Sequence, residues 1–279
     1  MQNMEWEDRM ENGLPPVGRR GYREARGKGT FMNNQYQTAE HLNKRITIHD
    51  RYSVNKQGFS NWIYDQYRFS PGDSILELGC GSASMWIGKR LPAGCRLYLT
   101  DFSEGMLEAA RKNTAQLPLA RFQRVDIQGI PFEDNAFDSV IAHMMLYHVP
   151  DMHRALAEVR RVLKPGGSFF CATYGENGIM AYLSAILNRF GVYDPMNRRF
   201  TLQNGEEILK KHFPTVVRQD YPDALAVTDP EDLSDYLYSM GSMTNLDPAY
   251  RPQIVDALHR EMKNGVLTVP KEYGMFICR

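Results

Sequence analysis

The sequence has few cysteines, and no two of them lie close together. Its 279 residues include four cysteines, with no CxxC pair and no spacing typical of a metal site. So sparse a set excludes a disulfide framework and indicates reduced thiols in a reducing compartment. We therefore expect neither a structural disulfide nor a metal ion. The cysteines are Cys80, Cys95, Cys171 and Cys278.

The sequence also has no excess of charge of either sign and no long apolar run. Lys and Arg number 33, as do Asp and Glu, so the formal net charge is zero. Proteins that grip nucleic acid need surplus cations to neutralise phosphates, so a nucleic-acid partner is not expected. No stretch approaches the roughly 18 apolar residues that span a bilayer. The acidic first residues are unlike a signal peptide, so we expect a cytoplasmic protein without a membrane partner. The oligomeric state is left open between a monomer and a homodimer.

What is present is the composition of an ordinary folded protein, with 43% hydrophobic and 24% charged residues. Residues 1–35 are rich in Gly, Arg and Glu, show no helical or strand period, and are predicted to form a mobile N-terminal arm. The basic stretch at 19–23 could touch nucleic acid, although a solvated tail is favoured. Residues 36–70 carry a helical pattern and are predicted to form a lid, with a break at Gly58.

Residues 71–175 alternate short apolar runs with amphipathic helices, which is typical of an α/β protein. Apolar strands next to helices indicate a mostly parallel sheet that helices cover on both faces. A Gly/Pro turn at 164–167 is expected to end the third helix. The predicted strands are 74–78, 96–100, 121–125, 137–144 and 168–172, and the predicted helices are 84–91, 103–113 and 151–163.

Residues 176–279 complete the sheet and supply further helices. These helices are predicted to form a cap on the substrate side, inserted into the C-terminal half. Their Met and aromatic residues fit a core better than a pocket, and a pocket of this kind would favour an apolar or aromatic small molecule. The predicted helices are 179–190, 201–213, 230–240 and 248–263, and the predicted strands are 215–221, 266–269 and 275–278.

The first strand of the core ends in a glycine turn. Gly79 and Gly81, spaced by one residue, let the backbone turn tightly and come close to a ligand at a helix N-terminus. The dinucleotide fingerprint GxGxxG fails because Ser84 stands at its third glycine, so a nicotinamide oxidoreductase is remote. The sequence GK[ST] is absent, which excludes a P-loop.

The next two strands end in acidic residues, and ligands of open parallel sheets bind at these strand ends. Asp101 lies about 20 residues after the glycine turn, where a carboxylate can bind a ribose diol. The alternative for Asp101 is a helix cap, a role that Ser103 also fits. Asp126 and Ile127 at the third strand suit the amino group and ring of adenine, and Phe102 is either core or an adenine contact. Together these strand ends predict an adenosine site.

These segments resemble the motifs of class I S-adenosylmethionine-dependent methyltransferases, and most of all the type 11, ubiquinone-biosynthesis-like branch. The resemblance is dense over residues 70–175 and loose beyond them. It is specific for fold and cofactor and nearly silent on substrate. The segments that carry it, in order, are Ile75-Leu76-Glu77-Leu78-Gly79-Cys80-Gly81, Asp101-Phe102-Ser103-Glu104-Gly105-Met106-Leu107, Val125-Asp126 with Ile130-Pro131-Phe132, Phe137-Asp138-Ser139-Val140, Leu146-Tyr147-His148-Val149, and Arg161-Val162-Leu163-Lys164-Pro165-Gly166-Gly167.

The resemblance implies a Rossmann-like, seven-stranded sheet in the order 3-2-1-4-5-7-6 with an antiparallel last strand, which residues 266–278 could supply. It implies S-adenosylmethionine as cofactor and S-adenosylhomocysteine as product. Ala83 replaces a common third glycine, where a small side chain should be tolerated. The implied cofactor-binding residues are Glu77, Gly79, Cys80, Gly81, Asp101, Phe102, Met106, Asp126, Ile127 and His143, the last at a position where the family often has Ser or Asn.

The predicted activity is methyl transfer to O, N or C of a small-molecule metabolite. A general base is needed only if the acceptor is protonated, as an alcohol or phenol is. The candidates are His143, Tyr147 and His148, of which His143 is the most apt to face the cofactor, and packing roles for the other two stay open. In the lid segment 42–62, Arg45, His49, Arg51, Tyr52 and Ser53 form a second candidate site, because an Arg or Tyr there can meet the methionine carboxylate in similar enzymes. The alternatives are an RNA or protein methyltransferase and a non-catalytic regulator that binds the cofactor.

Overall fold

The chain is described by a computed structural model over residues 47–117, 120–240 and 246–279, and one seven-stranded sheet organises this part. The strand order is β3-β2-β1-β4-β5-β7-β6. Neighbours among β1 to β5 run parallel, and β7 runs antiparallel to both β5 and β6. The order and the antiparallel strand confirm the expectation from the resemblance. The strands are β1 (Ser74–Leu78), β2 (Arg96–Asp101), β3 (Ala120–Arg124), β4 (Phe137–Ile141), β5 (Leu163–Tyr174), β6 (Val216–Val227) and β7 (Leu267–Cys278).

Helices cover both faces of this sheet, so its central strands are largely buried. All five residues of β1 are buried, which a half-exposed strand would not show. Short 3-10 turns at Ser84–Trp86, Leu146–His148, Asn188–Phe190 and Pro248–Tyr250 link the elements. The α-helices are α1 (Phe59–Tyr64), α2 (Glu104–Asn113), α3 (Met152–Val162), α4 (Ile179–Leu187), α5 (Gly205–Lys210), α6 (Pro230–Ser239) and α7 (Arg251–Glu261), and residues 47–52 are also helical.

Helix α3 shows how closely local sequence can set an element. Asp151 is its N-cap, and its side chain accepts a hydrogen bond of 3.0 Å from the backbone N–H of Arg154. The buried side chains recur at helical spacing on one face, where Leu156 and Val159 pack into the core against β4 and β5. The prediction of a helix at 151–163 is confirmed.

The predicted helix at 84–91 is wrong, because only the single 3-10 turn Ser84–Trp86 forms there. Ile87 is extended, and Gly88 has a φ of +73°, so the chain leaves helical geometry at once. Trp86 is fully buried, and its indole N–H donates to the carboxyl of Glu77. A tertiary contact that the local pattern does not contain therefore fixes this turn.

The predicted division of the closing segment is also wrong, because β7 runs unbroken from Leu267 to Cys278. Pro270 lies in the ladder opposite Ala224, and Gly274 lies opposite Asp220. A Cβ at Gly274 would come within 2.5 Å of the carbonyl oxygen of Gln219, so the glycine allows close strand approach and makes no turn.

The Gly/Pro segment at 164–167 is likewise part of a strand, since β5 begins at Leu163. Gly166 has a φ of +79°, and the β4–β5 register shifts between Phe137 and Ser139. A Cβ at Gly167 would lie 2.9 Å from the carbonyl oxygen of Asp138. The glycines thus serve an irregular strand start.

Three further boundaries differ from the predictions. The fourth strand ends at Ile141 and not at 144, and Met144 has a φ of +53°. The helix predicted at 201–213 is confined to Gly205–Lys210, and the strand predicted at 215–221 extends to Val227. In the segment 36–70, Gly58 has a φ of +78° and precedes α1, so it separates two helical stretches as predicted. The predicted arm 1–35 and residues 36–46 lie outside the described residues.

The C-terminal helices pack on the part of β6 and β7 that extends beyond the other strands. Leu183 of α4, Leu237 of α6 and Leu258 of α7 are fully buried in one cluster with Val269 of β7. This group of helices and the ends of β6 and β7 lie beyond the C-terminal end of β5 at Tyr174. Below, we call them the cap.

Candidate functional site

The glycine turn after β1 is built from residues in left-handed backbone conformations. Gly79 has a φ of +71° and Gly81 a φ of +56°. A Cβ at Gly79 would lie 2.9 Å from Cγ of Met145, which follows β4. A Cβ at Gly81 would meet no atom within 4 Å, so a ligand can approach the backbone there. One glycine thus permits packing and the other permits a ligand.

Ala83, the third small residue of the turn, is also left-handed, with a φ of +53°. This conformation costs an L-residue roughly 1–2 kcal/mol. The backbone N–H of Ala83 donates to the carbonyl of Cys80 at 2.9 Å, and the side chain of Ala83 is buried. The expectation that a small side chain is tolerated in place of glycine therefore agrees with the geometry, at a cost in backbone strain.

Asp101 links the ends of β1 and β2. One carboxylate oxygen accepts the N–H of Gly81 at 2.9 Å, and the other accepts the N–H of Ser103 at 2.8 Å. Ser103 is the N-cap residue of α2 but its side chain makes no capping hydrogen bond, and Asp101 bonds to the N–H of Ser103, which precedes the helix. A carboxylate has about four acceptor sites, so two remain for a diol. Asp101 can hold the glycine turn and still bind ribose hydroxyls.

Glu77 is a buried carboxyl directly beneath the glycine turn. Its side chain is 4% exposed and accepts a hydrogen bond of 2.5 Å from the indole N–H of Trp86. Burial raises its pKa to about 7, and the charge of Asp101 acts in the same direction. A cation placed beside Glu77 would favour its ionised form. Trp86 is a partner that the sequence motif did not reveal.

The residues predicted to contact adenine lie at the ends of β2 and β3. Phe102 is 50% exposed, and the guanidinium of Arg124 lies 5.0 Å from its ring centroid. Ile127 is buried. An oxygen of Asp126 accepts the N–H of Gln128 at 2.9 Å.

The remaining two cofactor candidates lie in the turn and on α2. Cys80 is buried, and burial raises the pKa of its thiol far above the usual range. Met106 of α2 is half-buried. The structure brings the predicted cofactor residues to the carboxyl ends of β1 to β4 or into the turns that follow them, apart from Met106, which lies in the first turn of α2.

His143 lies just after β4 with both ring nitrogens in hydrogen bonds. Nδ1 accepts the backbone N–H of Ala172 at 3.0 Å, which places the proton of the neutral ring on Nε2. Nε2 lies 2.5 Å from the hydroxyl of Tyr67, whose own proton can go to Sδ of Met85 at 3.7 Å. Burial lowers the pKa of His143 to about 3. This geometry fits a positioning residue better than a general base, and no sequence motif indicated Tyr67 as its partner.

Tyr147 and His148 lie in the 3-10 turn that follows. The ring of Tyr147 is 4.7 Å from that of Tyr174 and 4.5 Å from that of His148. The carbonyl of Tyr147 accepts a hydrogen bond of 2.6 Å from Asn197. Burial lowers the pKa of His148. Both rings pack against aromatic neighbours, and their roles as bases stay predictions.

The second candidate site, in the lid segment, makes its contacts with the cap. Arg51 and Tyr52 both bond to Asp232 of α6, so both side chains are used at this contact. Ser53 donates to Asp223 of β6 at 2.9 Å and accepts from the ammonium of Lys271 of β7 at 2.8 Å. Arg45 lies outside the described residues.

Lys271 and Asp223 form a buried ion pair, with side chains 3% and 0% exposed. Beside this pair, Nδ1 of His49 is buried without a hydrogen-bond partner. Burial lowers the pKa of His49 to about 4, and the charge of Lys271 lowers it further. Sequence reasoning singled out His49 and Ser53, but it could not pair them with strands about 170 residues away.

A small pocket lies where β5 and β7 meet the cap, and below we call it the β5–β7 pocket. Its wall includes three tyrosines, three carboxylates, and two methionines from α4 and the loop that follows it. The tyrosines are Tyr174, Tyr236 and Tyr273, and the carboxylates are Glu176, Asp194 and Glu272.

Two features are absent from residues 47–117, 120–240 and 246–279. No three His, Cys, Asp or Glu side chains in these ranges come together as metal ligands. No helix in the same ranges combines the length and the apolar character needed to cross a membrane.

Residues 76–171 match the family described as "Methyltransferase domain", which covers about a third of the chain. A demethylmenaquinone methyltransferase of Symbiobacterium thermophilum is 38% identical over 112 residues, which are 38% of this chain and 44% of that protein. The enzyme of the same name from Staphylococcus epidermidis RP62A is 34% identical over 144 residues, 51% of this chain and 58% of that one. The chain thus spans about half the length of these curated relatives.

Among solved structures, phosphoethanolamine N-methyltransferase 2 of Haemonchus contortus, in complex with phosphomonomethylethanolamine and S-adenosylhomocysteine, has a similar fold. The TM-score is 0.54 at 16% sequence identity, over 89% of this chain and 58% of that one. At this identity the likeness concerns the fold alone.

Proposed function

We propose that this chain, whose residues 76–171 match a methyltransferase domain, uses S-adenosylmethionine to transfer a methyl group to a small-molecule acceptor. The observation that carries the proposal is the pairing of Gly81 with Asp101. The backbone of Gly81 is open to a ligand, and Asp101 holds that turn while keeping acceptor sites free. The curated relatives named above are enzymes that methylate a small molecule, which supports an acceptor of that class.

The residues present fit this cofactor in three places. The open backbone at Gly79, Cys80 and Gly81 would lie beside the methionine part, and Glu77 would face its cationic amino group through the turn. Asp101 would accept hydrogen bonds from the ribose hydroxyls. The adenine would lie between Phe102, Met106 and Ile127, with Asp126 accepting from its amino group.

When bound, S-adenosylmethionine supplies an electrophilic methyl group whose leaving group is a neutral thioether. The residues of this chain would bind it, align the acceptor with the methyl carbon and exclude water. His143 would act by position, because its neutral ring ties Tyr67 to the backbone of β5. An alcohol or phenol acceptor would further need a base, for which Tyr147 and His148 are the remaining candidates.

Calorimetric titration with S-adenosylmethionine, S-adenosylhomocysteine and NAD tests the proposal. We expect the two sulfur ligands to bind and NAD not to bind. Replacement of Asp101 by Ala should weaken binding of both sulfur ligands at least tenfold, because it removes the ribose contact and frees the turn. Asp220→Ala, an exposed acid on β6, is the matched control and should bind them normally.

Two results would contradict this proposal. If neither sulfur ligand binds, the chain has the fold without the cofactor. If a folded Asp101→Ala variant binds them with unchanged affinity, the ribose assignment is wrong. If the sulfur ligands bind, turnover of S-adenosylmethionine in the presence of candidate acceptors, measured as released homocysteine, distinguishes an enzyme from a protein that only binds the cofactor.

A further inference from the structure

The β5–β7 pocket adjoins the strand ends that carry the proposed cofactor site. Tyr174 ends β5 and lies opposite Tyr273 in the ladder with β7. The ring of Tyr174 is also 4.7 Å from the ring of Tyr147, which lies in the turn after β4. Met145 begins that turn and packs against Gly79. The pocket therefore borders the turn after β4 through Tyr174 and Tyr147, and Met145 of that turn borders the glycine turn.

Three tyrosines line the pocket wall. Tyr174 comes from β5, Tyr236 from α6 and Tyr273 from β7, so three different elements surround one space. Tyrosine rings attract cations through their π systems. The ammonium of Lys271 already lies 5.4 Å from the ring centroid of Tyr273, where Asp223 neutralises it.

The charge of the pocket is negative. Arg198 pairs with both Asp194, at 2.9 Å, and Glu176, at 3.6 Å, so one cation serves two carboxylates. Glu272 accepts only from neutral donors, the N–H of Asn177 at 2.6 Å and the amide of Gln203 at 2.7 Å. Within the described residues no cation pairs with Glu272. The carboxylate of Glu272 thus lies on the wall of an aromatic pocket with only neutral hydrogen-bond donors among the described residues.

The backbone makes room for this carboxylate. A Cβ at Gly175 would lie 2.0 Å from Cδ of Glu272, a distance that no real side chain could tolerate. The N–H of Gly175 donates to the carbonyl of Glu272 at 2.7 Å, which fixes the two backbones side by side. The position of Glu272 on the pocket wall therefore depends on a glycine at 175.

We propose that the β5–β7 pocket binds the amino group of the methyl acceptor, and hence that the acceptor is an amine. The inference rests on the proposed methyltransferase function and names its substrate class. Glu272 supplies the counter-charge, and the three tyrosines surround the cationic group. A neutral alcohol or quinol would leave Glu272 without a cationic partner, and a carboxylate would be repelled.

The chemistry balances for an amine. The amine binds as an ammonium and loses one proton to water, which exposes the nitrogen lone pair. That lone pair forms the new N–C bond while the C–S bond breaks, and its electrons pass to sulfur. The positive charge of the sulfonium thus ends on nitrogen, beside Glu272 and the tyrosines, and the methylated ammonium leaves after exchange with solvent.

The test uses three probes of one shape with different charge: phenethylamine, 2-phenylethanol and 3-phenylpropionate. Their dissociation constants are measured on the full chain saturated with S-adenosylhomocysteine. We expect phenethylamine to bind about tenfold or more tightly than the alcohol, because ion pairing and cation–π contacts add in a partly dry pocket. The carboxylate probe should bind most weakly.

Variants then connect the preference to Glu272. Glu272→Gln should reduce phenethylamine affinity about tenfold and leave the affinities for the alcohol and for S-adenosylhomocysteine within twofold. Gly175→Ala should act in the same direction by displacing the carboxylate. Glu207→Gln removes one negative charge from the exposed face of α5 and should change nothing.

The outcomes separate the two proposals. Suppose that S-adenosylhomocysteine binds but phenethylamine binds no more tightly than 2-phenylethanol, or that a folded Glu272→Gln variant still binds the amine more tightly than the alcohol. In either case the amine inference is wrong and the methyltransferase proposal stands. If S-adenosylhomocysteine does not bind at all, the proposed function is contradicted and the inference falls with it. A charge-dependent preference that Glu272→Gln abolishes supports both.

Discussion

At the scale of single residues, the site shows what a motif contains and what it leaves out. Gly79, Gly81 and Asp101 could be read from the sequence because their roles depend on backbone geometry and on position at strand ends. Tyr67 and Glu272 could not, because their partners lie far away in sequence and only the folded sheet brings them together. A sequence motif indicates local backbone geometry, but it does not identify hydrogen-bond partners that lie far away in the sequence.

The two glycines of the turn predict opposite phenotypes. Gly81→Ala adds a methyl group where the backbone is open, so it should cost only the strain of a left-handed residue, about 1–2 kcal/mol in unfolding free energy. It should nevertheless weaken S-adenosylhomocysteine binding strongly, since the methyl takes the space of the ligand. Gly79→Ala should cost more stability, because Met145 must also move.

Urea unfolding and calorimetry on the two variants check this prediction. Gly166→Ala is the control, because Gly166 has a similar φ of +79° and open surroundings at the start of β5. It should lose stability as Gly81→Ala does and keep its ligand affinity. Equal ligand affinity in Gly81→Ala and Gly166→Ala would show that no ligand approaches Gly81.

At the scale of elements, the sequence predicted the parallel core closely and the C-terminal half less well. Strand β1 and helix α3 follow from local pattern, a buried apolar run and an Asp cap. Strand β7 contains Pro270 and Gly274, residues that usually mark turns, yet it stays unbroken because its pairing with β6 runs past both residues and β5 pairs with it from Tyr273 onward. The turn at Ser84–Trp86 fails as a helix for the same kind of reason, since the contact between Trp86 and Glu77 decides its course.

The buried Lys271–Asp223 pair fastens the lid segment to the cap and can be tested as a unit. Lys271→Met leaves Asp223 buried and uncompensated, which should cost about 3–5 kcal/mol of unfolding free energy. Adding Asp223→Leu removes the second charge and should restore much of that loss. Breaking the pair should also loosen residues 53–55, whose backbone bonds to Asp223 and Ala224.

Urea unfolding of the single and double variants measures the coupling, and hydrogen exchange of the Val54 and Asn55 amides measures the attachment. Lys210→Met with Glu206→Leu on α5 is the matched exposed pair and should show a coupling under about 1 kcal/mol. A small loss in Lys271→Met, with unchanged exchange at Val54, would mean that the pair does not hold the segment.

At the scale of the whole molecule, buried titratable groups make stability depend on pH. The pKa of His49 is lowered to about 4 and that of His143 to about 3, both by burial. As the pH is lowered below about 6.5, these two histidines become protonated in the unfolded chain at a higher pH than in the folded chain. The unfolding free energy therefore decreases as the pH decreases. Glu77 has the opposite effect. Its pKa is raised to about 7, so its contribution to the unfolding free energy decreases as the pH rises from about 4.5 to 7. Because two histidines act in one direction and one carboxyl in the other, the unfolding free energy should decrease overall as the pH is lowered.

Removing His49 should reduce this loss. His49→Phe keeps a ring in an aromatic setting and breaks no hydrogen bond of Nδ1, which has none. Its unfolding free energy should match or exceed that of the wild type at pH 7, and the decline from pH 6.5 to 4 should be smaller by about 3 kcal/mol. Urea unfolding at four pH values measures both, with the exposed His259→Phe as control. An unchanged pH slope would show that the His49 imidazole is charged in the folded protein.

The position of β7 between β5 and β6 has a consequence for how the molecule is made on the ribosome. β6 precedes β7 in the chain, but its ladder partner is β7. Until residues 228–278 have been synthesised and have left the ribosome, the backbone groups of β6 lack their ladder partner, and Asp223 lacks its lysine. An edge in that state can pair with another nascent chain. The speed at which translation crosses this interval therefore sets how long the unfinished protein is open to aggregation.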